Sequence, residues 1–443
     1  EASQITLEDA VPAIFRADQA IVVGDEMQLP PTSFFGNRRS DDEELEFEED
    51  GEVVSYDLNS SSLLNHGSKN LPSTMLGWHY RSRSESLISF SNHAFYAGRL
   101  LTVPEESLPQ PELPELCIER PTEGTDSAAA LIERPVSFHF MENGVYEKRR
   151  NTFEAEYIAQ LVRSLLLQEC GYSIGIVAFS EAQQSEIERA LLSLAYDDCD
   201  FAEAFEAELE REDDGQFAGL LIRNLENIQG DERDIIIMSV CYGPDQDGRT
   251  RMNFGPINTA GGEKRLNVAF SRAKQFMALV SSMRSTAITN EYNDGANCLR
   301  RYLRYAESCS VGQTDAMATV LKSLSGYGSS NANQAASTDP VTNDIANELR
   351  ALGFEVDFDV GQSHFRVNLA VRAEGDREYR LGILVDTDQW YQQTDLLERE
   401  LLKPRLLAAF GWNIEVVLAK DWFHDKAGCV TRLKNAMSPA AIR

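Results

Sequence analysis

Apolar residues are grouped in short runs, separated by helical spacing and by polar turns. Residues 20–25 (Ala-Ile-Val-Val-Gly-Asp) read as a short buried strand running into a loop. Residues 84–95 carry helical spacing, and residues 136–140 alternate as a strand does. An α/β succession follows: a helix over about 153–168, a strand over about 174–179 and a helix over about 181–195. Further strands are predicted near 219–223, 234–241 and 276–281. Runs such as Ile235-Ile236-Ile237-Met238 have no polar alternation, so they imply a mainly parallel sheet covered on both faces. Residues 323–340 are rich in Ser, Gly, Asn and Ala and read as a flexible linker. Beyond them a helix over 342–352 and two or three strands predict a separate small α/β domain. There is no internal repeat.

Length and composition refine this picture. At roughly 100–200 residues per domain, 443 residues suggest two to four domains. No run reaches the ~18 apolar residues of a membrane span. The seven cysteines are scattered, with no C-x-x-C pair, so neither a zinc site nor a disulfide framework is predicted and a cytoplasmic setting fits. The net charge of −30 on its own opposes nucleic-acid binding, but the acid is segregated. Asp41 to Glu52 holds nine carboxylates in twelve residues, and Asp197 to Asp214 is a second acidic run. Both read as solvated surface segments; the alternative is an acidic flap that mimics nucleic acid in a basic groove. Residues 37–60 read as an insertion or mobile loop.

Four segments carry candidate chemistry. Val23-Gly24-Asp25-Glu26-Met27-Gln28-Leu29-Pro30-Pro31 follows the apolar run at 20–23, where a Gln can sense a terminal phosphate or orient water. Trp78-His79-Tyr80-Arg81-Ser82-Arg83 offers arginines beside a helix start. Asn227-Ile228-Gln229-Gly230-Asp231-Glu232-Arg233-Asp234 precedes a strand, and Arg265-Leu266-Asn267-Val268-Ala269-Phe270-Ser271-Arg272-Ala273-Lys274 reads as a basic helix. Helical spacing would put Asn267, Ser271 and Lys274 near one face. Taken singly, each has a bland reading: a strand exit, a surface arginine, a polar turn and an amphipathic helix.

Together, in this order, they resemble motifs III, IV, V and VI of superfamily 1 helicases, in the subgroup of the nonsense-decay helicase. Glu1-Ala2-Ser3-Gln4 is similar to the end of that family's motif II, Asp-Glu-Ala-Ser-Gln, with the Asp falling just before Glu1. The resemblance covers roughly residues 1–285. It implies ATP and Mg²⁺ as cofactors and a nucleic acid as partner, with DNA favoured over RNA only because of the nuclease-like tail. Glu1 would position the attacking water, Gln28 would sense the terminal phosphate, and Arg81 and Arg272 would meet the γ-phosphate. A guanidinium there is worth ~10³–10⁵ in rate in arginine-finger enzymes. Gly24, Asp25, Gly230 and Glu232 would contribute to the nucleotide site, with Gly230 allowing close backbone approach and Glu232 bonding the ribose. The sequence contains no G-x-x-x-x-G-K-(S/T) loop to cradle phosphates. The expectation is therefore a fragment whose upstream half, or a partner chain, supplies that loop, with this chain inactive alone.

In the tail, His364 to Val371, Leu381 to Asp386, and Phe410-Gly411-Trp412 through Asp421-Trp422-Phe423 resemble very-short-patch-repair-like endonuclease domains of the PD-(D/E)XK type. The pattern departs where the metal chemistry lies. Asn368 stands at an expected Asp, Leu384 at an expected Glu, Gln392 at the usual His, and only Asp386 is kept. The resemblance thus implies a nuclease fold that binds rather than cuts; displaced acids such as Asp388 or Asp395 would serve an active alternative.

The fold class expected is α/β: a RecA-like parallel-sheet helicase domain over 71–290, preceded by the tail end of a first RecA-like domain over 1–70. A helical segment and linker would follow over 291–341, then a small restriction-endonuclease-like domain over 342–443. The function expected is an ATP-dependent helicase or translocase. The competing reading is a non-catalytic nucleic-acid-binding module of a bacterial phage-defence system.

Overall fold

Between residues 116 and 281, short apolar stretches alternate with amphipathic ones, and the chain resolves them as strands and covering helices. The computed structural model describes residues 1–29, 45–49, 52–56, 62–324, 339–392 and 395–437. Strands β1 (Leu45–Glu49) and β2 (Glu52–Tyr56) pair antiparallel. Strands β3 (Leu116–Ile118), β4 (Val136–Met141) and β5 (Ile174–Ala178) follow. Next comes a minimal hairpin, β6 (Glu212–Asp213) and β7 (Gln216–Phe217), whose turn residues Asp214 and Gly215 are both left-handed. Strands β8 (Leu221–Asn224), β9 (Arg233–Ser239) and β10 (Ala273–Ser281) complete the domain.

The main sheet has six strands in the order β3-β4-β10-β9-β5-β8, all parallel. Its faces explain the unbroken apolar runs. Ile236, Met238, Met277 and Leu279 point into one core, beneath the helices Gly262–Phe270 and Asp294–Ser310. Ile235, Ile237, Ala278 and Val280 point into the other, beneath Thr152–Leu167 and Glu181–Asp197. This mixed α/β arrangement is the RecA-like sheet expected.

The tail begins with the helix Pro340–Ala351, capped by Asp339, whose carboxylate accepts from the Thr342 N–H at 2.7 Å. Four strands follow: β11 (Phe354–Val360), β12 (Val367–Ala373), β13 (Leu381–Val385) and β14 (Ile414–Val417). They pair in that order, with β13 and β14 parallel and the other pairs antiparallel. The sequence reading predicted at most three; β14 is only four residues long and incompletely buried. One face of this sheet carries its own core, including Trp422 and Leu433. The other buries Trp390, Leu407 and Trp412 together with Val103 from the larger domain.

Three further local expectations change. Residues 20–25 form no strand and are largely exposed, with Ile21 83% and Val23 60% accessible. Hydrophobicity alone suggested burial, but a strand needs a sheet, and here the Val23 carbonyl accepts a single backbone bond, from Ala2 N–H. The helix at 262 ends at Phe270, and Lys274 already lies in β10, so Asn267, Ser271 and Lys274 do not share a helical face. Within the second acidic run, Cys199–Leu209 is a helix that buries Phe201 and Phe205 in the core, so only part of it is solvated. The linker lies mostly outside the described residues, as do Pro30 and Pro31 and much of 37–60.

Candidate functional site

Because β9 and β10 run parallel, the segments entering them, 227–232 and 262–272, meet at one edge of the sheet. The start of the helix Glu85–Phe95 is tied to the same edge. Ser82 donates its hydroxyl to the Ala273 carbonyl at 3.2 Å, and the Arg83 N–H donates to the Lys274 carbonyl at 2.7 Å. This places Arg81 over the edge. Its Nε donates to a Glu232 carboxylate oxygen, and another nitrogen donates to the Ser271 carbonyl at 3.2 Å. Lys274 Nζ reaches the second Glu232 oxygen at 3.1 Å. Burial pushes the Glu232 carboxyl up, but the bonds from Arg81 and Lys274 outweigh it and hold the acid below its usual range.

Arg272 is almost fully buried behind this pair. Among the described residues its side chain makes one hydrogen bond, from Nε to the Val268 carbonyl at 2.7 Å. Burial, then the field of Arg81, brings its pKa down to about 10, with Glu1 and Glu232 opposing. Burial and Arg81 likewise lower the pKa of His79 to about 4, so this ring is neutral at pH 7. Three cationic groups, Arg81, Arg272 and Lys274, are thus gathered at this edge with the carboxylates of Glu232 and Glu1.

The 24–28 segment docks against this edge. Gly24 is required by close approach, since a Cβ there would lie 2.9 Å from the Ser3 nitrogen. Asp25 accepts from Met27 N–H at 2.9 Å, from the Gln28 amide at 3.1 Å and from the Tyr96 hydroxyl at 2.7 Å. Asn267 donates to the Met27 carbonyl at 2.8 Å, and Lys264 to the Glu26 carbonyl at 2.7 Å. The Gln229 amide donates to both the Glu1 carboxylate and the Gln28 side chain. Gly230 beside it has φ 94°, a conformation that favours glycine. Glu1, Gly24, Asp25, Gln28, Arg81, Gly230, Glu232 and Arg272 therefore share one locality. Tyr96 joins them without a motif to announce it; its place at the end of an amphipathic helix is the only sequence signal.

Two buried side-chain oxygens in this locality, Gln229 Oε1 and Asn267 Oδ1, have no hydrogen-bond partner among the described residues. The guanidinium groups and the glycine-lined approach suit a phosphate, while the two open acceptors suit donors such as sugar hydroxyls. The fit for Mg²⁺ is poor. Glu1 is the carboxylate at hand, and no cluster of three or more His, Cys, Asp or Glu among the described residues is placed to hold a metal.

In the tail the three singled-out positions have structural partners. The Asn368 side-chain oxygen accepts the Val385 N–H at 3.0 Å, joining β12 to the end of β13. Leu384 is wholly buried beside Trp390 and Trp412. Asp386 accepts the Ala419 N–H with one oxygen and the Tyr391 hydroxyl, at 2.7 Å, with the other.

Two family models match separate stretches of the chain. A family model described as an AAA domain matches residues 59–284. A second, named REase_MTES_1575, matches residues 342–437. The chain is 29% identical over 451 residues to the uncharacterized ATP-dependent helicase MG140 of Mycoplasma genitalium, covering 99% of this chain and 36% of that protein. It is 28% identical over 457 residues to the MG140 homolog of Mycoplasma pneumoniae, with the same coverage. The chain thus spans about a third of the length of these curated relatives. No helix among the described residues is long and apolar enough to cross a membrane. With its model covering half of the sequence and the whole six-stranded sheet, the chain belongs to the AAA domain family, in a helicase-like form followed by a restriction-endonuclease-like unit.

Proposed function

We propose that this chain supplies the arginine side of the ATP site in an ATP-dependent helicase or translocase of superfamily 1, in the nonsense-decay subgroup. The observation that carries the reading is the meeting of Arg81 and Lys274 on Glu232, with Arg272 buried close by and Gln28 and Glu1 alongside. Arg81 and Arg272 meet the charge that develops on the γ-phosphoryl oxygens, and Gln28 and Glu1 orient the attacking water. Bound nucleotide takes over Glu232 from Arg81 and frees that arginine for phosphate. ATP supplies the phosphoryl group, and Mg²⁺ with the phosphate-cradling loop is supplied by sequence outside this chain. Steady-state ATPase assays on the full-length protein test this assignment, with Arg81→Ala and Arg272→Ala as probes; unchanged turnover in both would refute it.

The nucleic acid crosses the opposite edge of the sheet. There Lys148 and Arg149 sit in consecutive left-handed conformations, at φ 53° and 63°, in a tight turn that projects both side chains to solvent. Arg249 and Arg251 lie on the loop whose Pro244 carbonyl accepts from the Tyr146 N–H. In a chain with net charge −30 this basic turn is suited to phosphate. The tail, a very-short-patch-repair-like fold, binds DNA or a partner without cutting, which favours DNA as the track. A nicking assay with Mg²⁺ or Mn²⁺ checks this; metal-dependent cleavage lost in Asp386→Ala would overturn it.

A further inference from the structure

The segment that carries Arg81 is gripped by the tail. Two residues on, the Arg83 guanidinium lies 4.7 Å from the centre of the Phe410 ring and donates to the Ala409 carbonyl at 3.4 Å. Glu85, which opens the following helix, is buried with both carboxylate oxygens turned to the tail. They accept from the Gln362 N–H at 3.0 and 3.1 Å, and one also accepts from the Thr102 hydroxyl. Burial lifts this carboxyl to about 7. Ser363 and Thr102 exchange two further bonds, and Trp412 donates from its indole to the Pro104 carbonyl at 2.8 Å. Trp78 packs edge-on against Phe365, with ring centres 4.7 Å apart. From Trp78 to Pro104, then, the arm around Arg81 has the sheet edge on one side and the tail on the other.

We infer that the nuclease-like tail is a positioning element for the ATP-site arginine, acting through Arg83–Phe410 and the Glu85–Gln362 latch to hold Arg81 over the nucleotide. This rests on the ATP-site reading above. The physical reason is leverage. Among the described residues Arg81 is bonded to Glu232 and the Ser271 carbonyl alone, and nucleotide displaces the first of these. Its aim then depends on the backbone at 82–85, which is held by β10 and by the tail. A displacement of about 1 Å at a reacting group can cost about 10²-fold in rate. The retained fold without a metal cluster is thereby given a use: it is a brace, and what the tail binds can be felt at the nucleotide.

The test is nucleic-acid-stimulated ATPase of the full-length protein, using mixed-sequence single-stranded DNA as the stimulant. Phe410→Ala should lower kcat about 10-fold with the KM for ATP changed less than about twofold, since a positioned arginine acts in the transition state. Phe410→Tyr, which keeps the ring, should restore kcat. The deciding comparison is made in an Arg81→Ala background, where kcat has already fallen about 10³-fold. There Phe410→Ala should have no further effect, because the residue it acts through is gone. A loss that persists in that background, or a kcat within twofold of wild type in Phe410→Ala alone, overturns the inference. Should Phe410→Ala fail to fold, the exposed Arg83→Gln replaces it with the same expectations. If Arg81→Ala itself leaves turnover unchanged, it is the ATP-site assignment that fails, and the two failures are distinct.

Discussion

At one edge of the six-stranded sheet, Arg81 and Lys274 bond Glu232 with Arg272 buried close by, and two nearby acceptors have no partner among the described residues. At the corresponding hot spot of the tail, Asn368 closes a strand, Leu384 fills a core, and Asp386 divides its oxygens between a helix N-terminus and a tyrosine. Both places are strand ends populated by polar residues. They differ in whether the fold itself satisfies the groups. Orphaned acceptors and arginines held by few bonds are what a ligand site leaves behind; fully partnered groups are what structure leaves behind.

The largest expected effect separates the two places. Arg81→Ala in the full-length protein should lower kcat for ATP about 10³-fold, while Asp386→Ala should leave kcat within twofold; steady-state kinetics reads both. A smaller effect concerns Glu154, a third kind of buried acid at the opposite edge of the same sheet. It accepts from the N–H groups of Cys241 and Ser282 and from the hydroxyls of Ser239 and Ser282. Burial raises its pKa from 4.5 to about 7, so the fold holds this proton more tightly than the unfolded chain does. That stabilisation is complete below about pH 4.5 and is lost as pH rises through about 7. Relative to Glu154→Gln, the wild type should lose about 3 kcal/mol across this window. Denaturant unfolding at several pH values checks it; a constant difference between the two proteins would contradict the assignment.

Asp386→Ala should lower the stability of the tail by about 1–2 kcal/mol, through loss of a helix-terminus bond and a tyrosine partner. Proteolysis of the tail under native conditions reads this change. A variant as stable as wild type would leave Asp386 without the structural use that distinguishes it from Glu232. The smallest effect is at Gly230. No atom lies within 4 Å of a Cβ built there, yet φ is 94°. Gly230→Ala should therefore cost about 1 kcal/mol from backbone alone, and a much larger loss of ATPase than of stability would show that the ligand itself approaches this glycine.

The motifs were legible because each packs its chemistry into fewer than a dozen residues, and the alternation of β9 between two cores follows directly from Ile235 to Met238. The partners were not legible. Arg81 and Glu232 are 151 positions apart, and no spacing rule links Glu85 to the Gln362 backbone. Two local errors have one cause: period and hydrophobicity describe an isolated segment, whereas neighbours decide its fate. Residues 20–25 are apolar but find no sheet among the described residues, and the basic helix stops at Phe270 because β10 begins three residues later. Tyr96 and Lys264 reach the site through packing and carry no motif of their own.

ATP turnover of the full-length protein carrying Arg272→Ala, with nucleotide binding measured alongside, shows most directly whether the charged edge of the six-stranded sheet faces ATP. Turnover should fall to background with ATP still bound; turnover equal to wild type would rule out an ATP site at this edge.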